Sequence, residues 1–194
     1  MNTSLYLIRH GKTEWNIEGK FQGQRDIPLS IDGQLQADKL SQKFREIDIS
    51  SIYSSDLTRA METAQSIGRA QKVPVIPVEE FREINVGLWE GKSFSKLRQE
   101  RDRLFELWLS DSINNPFPSG ESYTQLRNRV IPKFVELVKA NKGSSICIVS
   151  HSGPLKLIVC HALNIPLDRR LKFELSNAGI SKITYTGDMN FRVS

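Results

Sequence analysis

Along most of the chain, short apolar runs alternate with stretches whose apolar residues recur at helical spacing. The runs at 4–8, 49–54, 73–78 and 145–150 are almost continuously aliphatic, the pattern of strands covered on both faces. Two further strands are predicted at 179–186 and 190–193, with Thr186-Gly187-Asp188 turning between them as a closing hairpin. Helices fill the intervals. Ser30 is placed to cap one running to about residue 46, with Leu35, Leu40 and Phe44 on one face. Asp56 is placed to cap the next, which turns Ala60, Ala64 and Ile67 inward. A third spans about 122–141 around Leu126, Val130, Phe134 and Leu137, with Pro132 expected to kink or break it. A fourth follows Gly153 as far as about residue 163.

Strand, helix, strand, helix at these lengths implies βαβ units. The expected fold class is α/β, a three-layer α/β/α sandwich whose sheet is mainly parallel with an antiparallel edge. A single domain is expected over residues 1–194. The segment 81–121 breaks the alternation with one predicted helix, at about 94–109, and a Pro-rich loop, Asn114-Asn115-Pro116-Phe117-Pro118-Ser119-Gly120. A stretch this long between core elements reads as a lid.

Composition narrows the classes further. The 39% hydrophobic and 25% charged residues suit a globular protein rather than a disordered one. No apolar run approaches the ~20 residues needed to span a bilayer. Residues 1–8 lack a basic lead and a long apolar stretch, so they read as the first strand and not as a signal peptide. Cys147 lies in a strand-like run and Cys160 in a helical one. Both are expected to be small core residues, which points to a cytoplasmic protein. Lys and Arg total 27 against 22 for Asp and Glu, a net charge of +5 that suits an anionic partner. The basic residues are scattered and no nucleic-acid signature is present, so a small-molecule phosphate ester is the expected partner, with no nucleic acid and no membrane. The three histidines show none of the usual zinc spacings, and neither a metal nor another cofactor is expected.

In open α/β sheets ligands bind beyond the carboxyl ends of the strands. The first strand ends in Arg9-His10-Gly11-Lys12-Thr13-Glu14-Trp15-Asn16, and the second in Ser54-Ser55-Asp56-Leu57-Thr58-Arg59-Ala60. The third leads into Phe81-Arg82-Glu83 and then Gly87-Leu88-Trp89-Glu90-Gly91, and the fourth ends in Ser150-His151-Ser152-Gly153. Among them, two arginines, two histidines and one glutamate form a set able to bind a dianion and transfer it.

This pattern resembles the histidine phosphatase superfamily, which includes the phosphoglycerate mutase-like enzymes, and the match covers essentially the whole chain. The resemblance implies a phosphohistidine mechanism without metal. His10 corresponds to the nucleophile, a role open to a neutral imidazole without prior deprotonation. Arg9 and Arg59 correspond to the phosphate clamp, His151 to a donor toward a phosphoryl oxygen, and Glu83 to the proton donor for the leaving alcohol. Asn16, Gln22, Gly23 and Ser152 fall at positions that contact substrate or phosphate.

Glu79, Glu80 and Glu90 compete with Glu83 on composition alone, and His161, Trp15 and Trp89 read as packing residues. In the lid, Lys92, Lys96, Arg98, Arg101 and Arg103 with Phe94, Phe105, Trp108 and Phe117 suit an amphipathic helix on the core; the sharper alternative is that a few of them set substrate choice. The stretch from Phe21 to Ser30, with Gln22 where mutases tend to carry a small hydroxyl residue, resembles the phosphatase branch. Hydrolysis is therefore expected over mutase-type transfer or phospho-ligand sensing. The resemblance leaves alpha-ribazole phosphate, phosphoserine, sugar phosphates or a broad range as substrates, and leaves homodimerisation through the hairpin edge open.

Overall fold

In the computed structural model, which describes residues 2–100, 103–187 and 190–193, six strands form one sheet. They are β1 (Thr3–Arg9), β2 (Ser51–Ser54), β3 (Val75–Pro77), β4 (Ser145–Ser150), β5 (Ile180–Gly187) and β6 (Asn190–Val193), in the order β3-β2-β4-β1-β5-β6. β1, β2, β3 and β4 run parallel, β5 pairs antiparallel with β1, and β6 antiparallel with β5. The expected antiparallel edge is therefore present; Asp188 of the predicted turn lies outside the described residues.

The helices are α1 (Glu14–Ile17), α2 (Ile31–Phe44), α3 (Thr58–Gln71), α4 (Phe94–Gln99), α5 (Arg103–Ser110), α6 (Tyr123–Ala140) and α7 (Ser152–Ala162). Strand alternation decides which helix covers which face. Ile8, Ile52, Cys147 and Val149 pack on Leu40 and Phe44 of α2 and Ala60, Ala64 and Ile67 of α3. Leu5, Leu7, Ile146 and Ile148 face the other way, into a larger core with α6 and α7. The result is the three-layer α/β/α sandwich.

Several local expectations need correction. In α2, Ser30 does cap, accepting from the Gly33 N–H at 3.2 Å. The buried face, however, is Gly33, Ala37, Leu40 and Phe44, and Leu35 is 56% exposed. Residues 33, 37, 40 and 44 follow the 3.6 period, and residue 35 lies off that stripe. Asp56 does not cap α3: Leu57 holds the cap position without a side-chain bond, and Asp56 receives Arg82 at 2.8 and 2.5 Å. β2 begins at Ser51, two residues later than expected. β3 is a short edge strand, with Ile76 43% exposed, because among the described residues no strand lies beyond it. The single helix expected at 94–109 is two, α4 and α5; Arg101 lies outside the described residues. α7 starts at Ser152, ahead of Gly153. α6 passes through Pro132 as one helix, capped by the reciprocal Ser122–Gln125 pair. Pro132 is on its exposed side, where the carbonyl it leaves unpaired meets water.

Cys147 and Cys160 are both free and buried. Among the described residues, no helix is long and apolar enough to cross a membrane.

Candidate active site

β1 and β4 lie side by side in register, Arg9 opposite Ser150, so the next residues, His10 and His151, leave the sheet together. Their rings are 5.0 Å apart between centroids. The backbone behind His10 is clasped from several sides. The His10 N–H donates to the Ser150 carbonyl at 3.0 Å, and the His10 carbonyl accepts from Asn177 Nδ2 at 3.0 Å and the Ala178 N–H at 3.2 Å. The Gly11 N–H donates to Thr63 Oγ1 at 3.0 Å.

His10 Nδ1 lies 2.6 Å from the Gly11 carbonyl oxygen. A carbonyl only accepts, so Nδ1 carries the proton and Nε2 holds the free lone pair. Burial pushes the His10 pKa well below its ordinary 6.5, and the Arg59 and Arg9 charges push it the same way. The imidazole is held neutral.

Arg59 is 1% exposed and every nitrogen of its guanidinium is bonded. Nη1 donates to the Arg25 carbonyl and Nη2 to the Gly23 carbonyl, both at 2.8 Å, and Nε donates to His151 Nδ1 at 3.2 Å. Burial brings its pKa down to about 10, which leaves it charged at neutral pH. Because Arg59 is always the donor, His151 keeps its proton on Nε2 and gives it to Ser55 Oγ at 2.8 Å. Burial, with Arg59 next, lowers the His151 pKa well below 6.5. Arg9 donates from Nη1 to the Leu175 carbonyl at 2.8 Å, while its Nε is buried without a partner.

Glu83 is the remaining member of the set. Its Oε1 accepts from the Ile84 N–H at 2.8 Å, and its two oxygens lie 3.2 and 3.3 Å from the Gly153 N–H. It thus occupies the open N-terminus of α7, which no cap side chain of its own satisfies. The competing glutamates are engaged elsewhere: Glu79 with Arg82, Glu80 with Lys133, and Glu90 with the N–H groups of Gln24 and Arg25.

A cavity of about 200 Å³ opens over these groups, lined by Arg9, His10, Arg59 and Glu83 and by Asn16, Gln22, Gly23 and Ser152. Asn16 is already tied to Thr13 and Asn177, and Gln22 Oε1 accepts from Thr13 Oγ1 at 2.9 Å. His151 is not in the wall; it stands behind Arg59. His161, by contrast, packs against Phe134 and Phe191 in a different part of the molecule, and Trp89 is 1% exposed. Among the described residues, no cluster of His, Cys, Asp and Glu could hold a metal ion.

A profile described as the histidine phosphatase superfamily (branch 1) matches residues 5–193. The chain belongs to that superfamily. Among the relatives of this histidine phosphatase superfamily member is "Putative phosphoserine phosphatase 2" of Hydrogenobacter thermophilus, 35% identical over 95% of this chain and 90% of the relative. Another, from Escherichia coli, is "Probable phosphoglycerate mutase GpmB", 33% identical over 93% of this chain and 84% of the relative. Among solved structures, a histidine-to-alanine mutant of phosphoserine phosphatase from Entamoeba histolytica, in complex with phosphoserine, has a TM-score of 0.86 at 34% identity, covering 99% of this chain and 95% of that one.

The superfamily site holds residues that the sequence reading passed over. Ser55 fixes the His151 ring and directly follows a predicted strand, so the strand-end rule already pointed to it. Asn177 precedes an antiparallel strand, whose start lies at the same sheet edge as the ends of its parallel neighbours. Arg129 supports the Glu83 turn, donating to the carbonyls of Glu80, Arg82 and Glu83 and pairing with Glu121. No local signal marks it, because it acts from the middle of α6. Lys20, Tyr123 and Trp108 also line the cavity.

Proposed function

We propose that the protein is a metal-independent phosphomonoesterase that acts on a small phosphorylated metabolite through a phosphohistidine on His10. The observation that carries this reading is the His10 ring, neutral, with Nδ1 tied to the Gly11 carbonyl and Nε2 free beside the buried Arg59 and partly buried Arg9 guanidinium groups. Arg9 and Arg59 seat the phosphate dianion, and the unpaired Arg9 Nε gains an acceptor. His10 Nε2 forms a bond to phosphorus as the ester P–O bond breaks. Glu83 gives its proton to the departing alcohol oxygen. Water then attacks the phosphohistidine, passes a proton to the Glu83 carboxylate, and releases phosphate and the His10 ring. His151 accepts from Arg59 Nε on its Nδ1 and so steadies the guanidinium that seats the phosphate. The guanidinium pair supplies the charge neutralisation that a metal ion supplies elsewhere. The 81–121 segment, contributing Glu83, Ile84, Val86, Trp108 and Phe117 to the wall, serves as the lid.

The test is acid-quench labelling with a phosphate ester. An acid-labile, base-stable phosphoryl adduct should form in the wild type, vanish in His10→Ala, and persist with turnover in excess chelator. Net phosphate release should exceed interconversion of 2- and 3-phosphoglycerate, with or without 2,3-bisphosphoglycerate. The reverse result establishes the mutase reading, which the GpmB resemblance favours. Absence of any adduct overturns the mechanism. The same reading makes the enzyme cytoplasmic, a view supported by two buried cysteines left unbridged.

A further inference from the structure

Four side-chain nitrogens are buried without any hydrogen-bond partner among the described residues: Arg9 Nε, Trp108 Nε1, His161 Nε2 and Arg170 Nε. Two of the four belong to residues that line the one cavity described above. A buried donor left unpaired is costly, so each one asks for an explanation. Arg9 Nε is explained by the phosphate seat. Trp108 has no such account, because the phosphohistidine chemistry makes no use of the lid indole.

The surroundings of Trp108 sharpen the question. Its ring packs against Phe117 at 4.9 Å, Trp89 at 5.6 Å and Phe105 at 6.2 Å between centroids, so its neighbours supply apolar contact and no acceptor. The other aromatic residues in the cavity wall are Phe21, Phe117 and Tyr123. A phenylalanine would meet the packing demand without stranding an N–H. Tyr123 is held from behind by Arg170, whose guanidinium lies 4.0 Å from the ring centroid and whose Nη2 donates to Ser112 Oγ at 2.6 Å. That part of the cavity wall is therefore braced by Arg170.

We infer that the Trp108 indole N–H is the donor of a second subsite, one that receives an oxygen acceptor, hydroxyl or carboxylate, on the alcohol portion of the ester. This rests on the phosphatase reading of the cavity. The substrate class is accordingly a phosphate monoester with at least one further oxygen acceptor on its alcohol portion, in preference to a simple alkyl or aryl phosphate. Binding such a group satisfies a donor that is otherwise stranded, and a substrate lacking it forgoes that gain.

Two measurements test the subsite. The first compares kcat/KM for phosphoserine, glycerol 1-phosphate and ethyl phosphate in wild type and Trp108→Phe. The preference for an acceptor-bearing ester over ethyl phosphate should fall roughly tenfold or more in the variant, a change that loss of one hydrogen bond to a charged or well-placed acceptor accounts for. A fall confined to phosphoserine identifies the acceptor as carboxylate, and one confined to glycerol 1-phosphate as hydroxyl. An unchanged preference, or an equal loss on all three esters, overturns the inference. The second follows the Trp108 indole ¹H–¹⁵N signal in the turnover-deficient His10→Ala protein and so depends on binding alone. The signal should move with the acceptor-bearing ester and hold still with inorganic phosphate; no movement with any ester refutes the subsite. If wild type hydrolyses none of the esters while the indole still responds, the phosphatase reading falls and the subsite stands.

Discussion

Replacing Gly153 with alanine aims a methyl group at the proposed proton donor and at little else. A Cβ built there overlaps Glu83 Oε1 and lies 3.2 Å from Leu126 Cδ2. Restoring ordinary contact requires the carboxylate to retreat by about 1 Å, since carbon and oxygen pack no closer than roughly 3.4 Å. The obstructing atom is the free end of a side chain, so Glu83 yields before the helix does, and its bonds to the Gly153 N–H lengthen. Misplacing a reacting group by about 1 Å costs on the order of 100-fold, or about 2.7 kcal/mol in the barrier. The loss should depend on the leaving group. An alkyl alcohol needs the proton and should lose the full amount, while a nitrophenolate needs little protonation and should lose roughly tenfold or less. The assay is kcat/KM across a series of phosphate monoesters graded by alcohol pKa, for wild type, Gly153→Ala, Glu83→Gln and the double variant. The double variant should be no worse than Glu83→Gln, because both changes remove the same function. Equal losses on alkyl and nitrophenyl esters, or losses that multiply in the double variant, refute the assignment of Glu83 as the acid.

Four further outcomes follow from the same geometry. Because the His10 pKa is held well below 6.5, the nucleophile stays neutral in mildly acidic solution, and the acid limb of kcat/KM should fall below that value. For His10 and His151 the unfolded chain binds protons more readily than the fold, so stability should rise with pH up to about 6.5 and decline as pH drops beneath it, as urea titrations at several pH values would show. Arg129→Met strips the bonds to the Glu80, Arg82 and Glu83 carbonyls; it should destabilise the protein by about 2 kcal/mol in denaturant titration and lower kcat on alkyl esters more than it raises KM. Gly33→Ala drives a methyl into the Lys12 carbonyl, a backbone obstacle in the loop after His10, and should cost about 1–3 kcal/mol by thermal or denaturant melting.

The strand ends were legible because each apolar run stops at a chemically distinctive residue. Arg9, His10, Arg59, Glu83 and His151 could all be named from that rule together with the family resemblance. What lay beyond reach was contact that no local pattern encodes. Leu35 looked inward because leucine is apolar, yet the helix phase set by Gly33, Ala37, Leu40 and Phe44 turns it to solvent. Asp56 has the chemistry of a helix cap, and only the position of Arg82, 26 residues away, shows why it serves as an ion-pair partner instead. The split of the helix expected at 94–109 into α4 and α5 follows no Gly or Pro signal within those residues. The bonding of Arg59 to the Gly23 and Arg25 carbonyls is likewise a tertiary fact, because backbone acceptors carry no mark in a sequence.

The register of β1 against β4 has a consequence for how the protein is made. Ser4 pairs with Ser145 and Arg9 with Ser150, so the central pair of the sheet closes a loop that holds most of the chain. Pairings this distant are slow to form, because the chain entropy is lost before the contact is gained. His10 emerges in synthesis ahead of His151 and meets its ring only after β4 has followed. During refolding, recovery of phosphoryl transfer should therefore coincide with docking of the central strands and trail the appearance of helix.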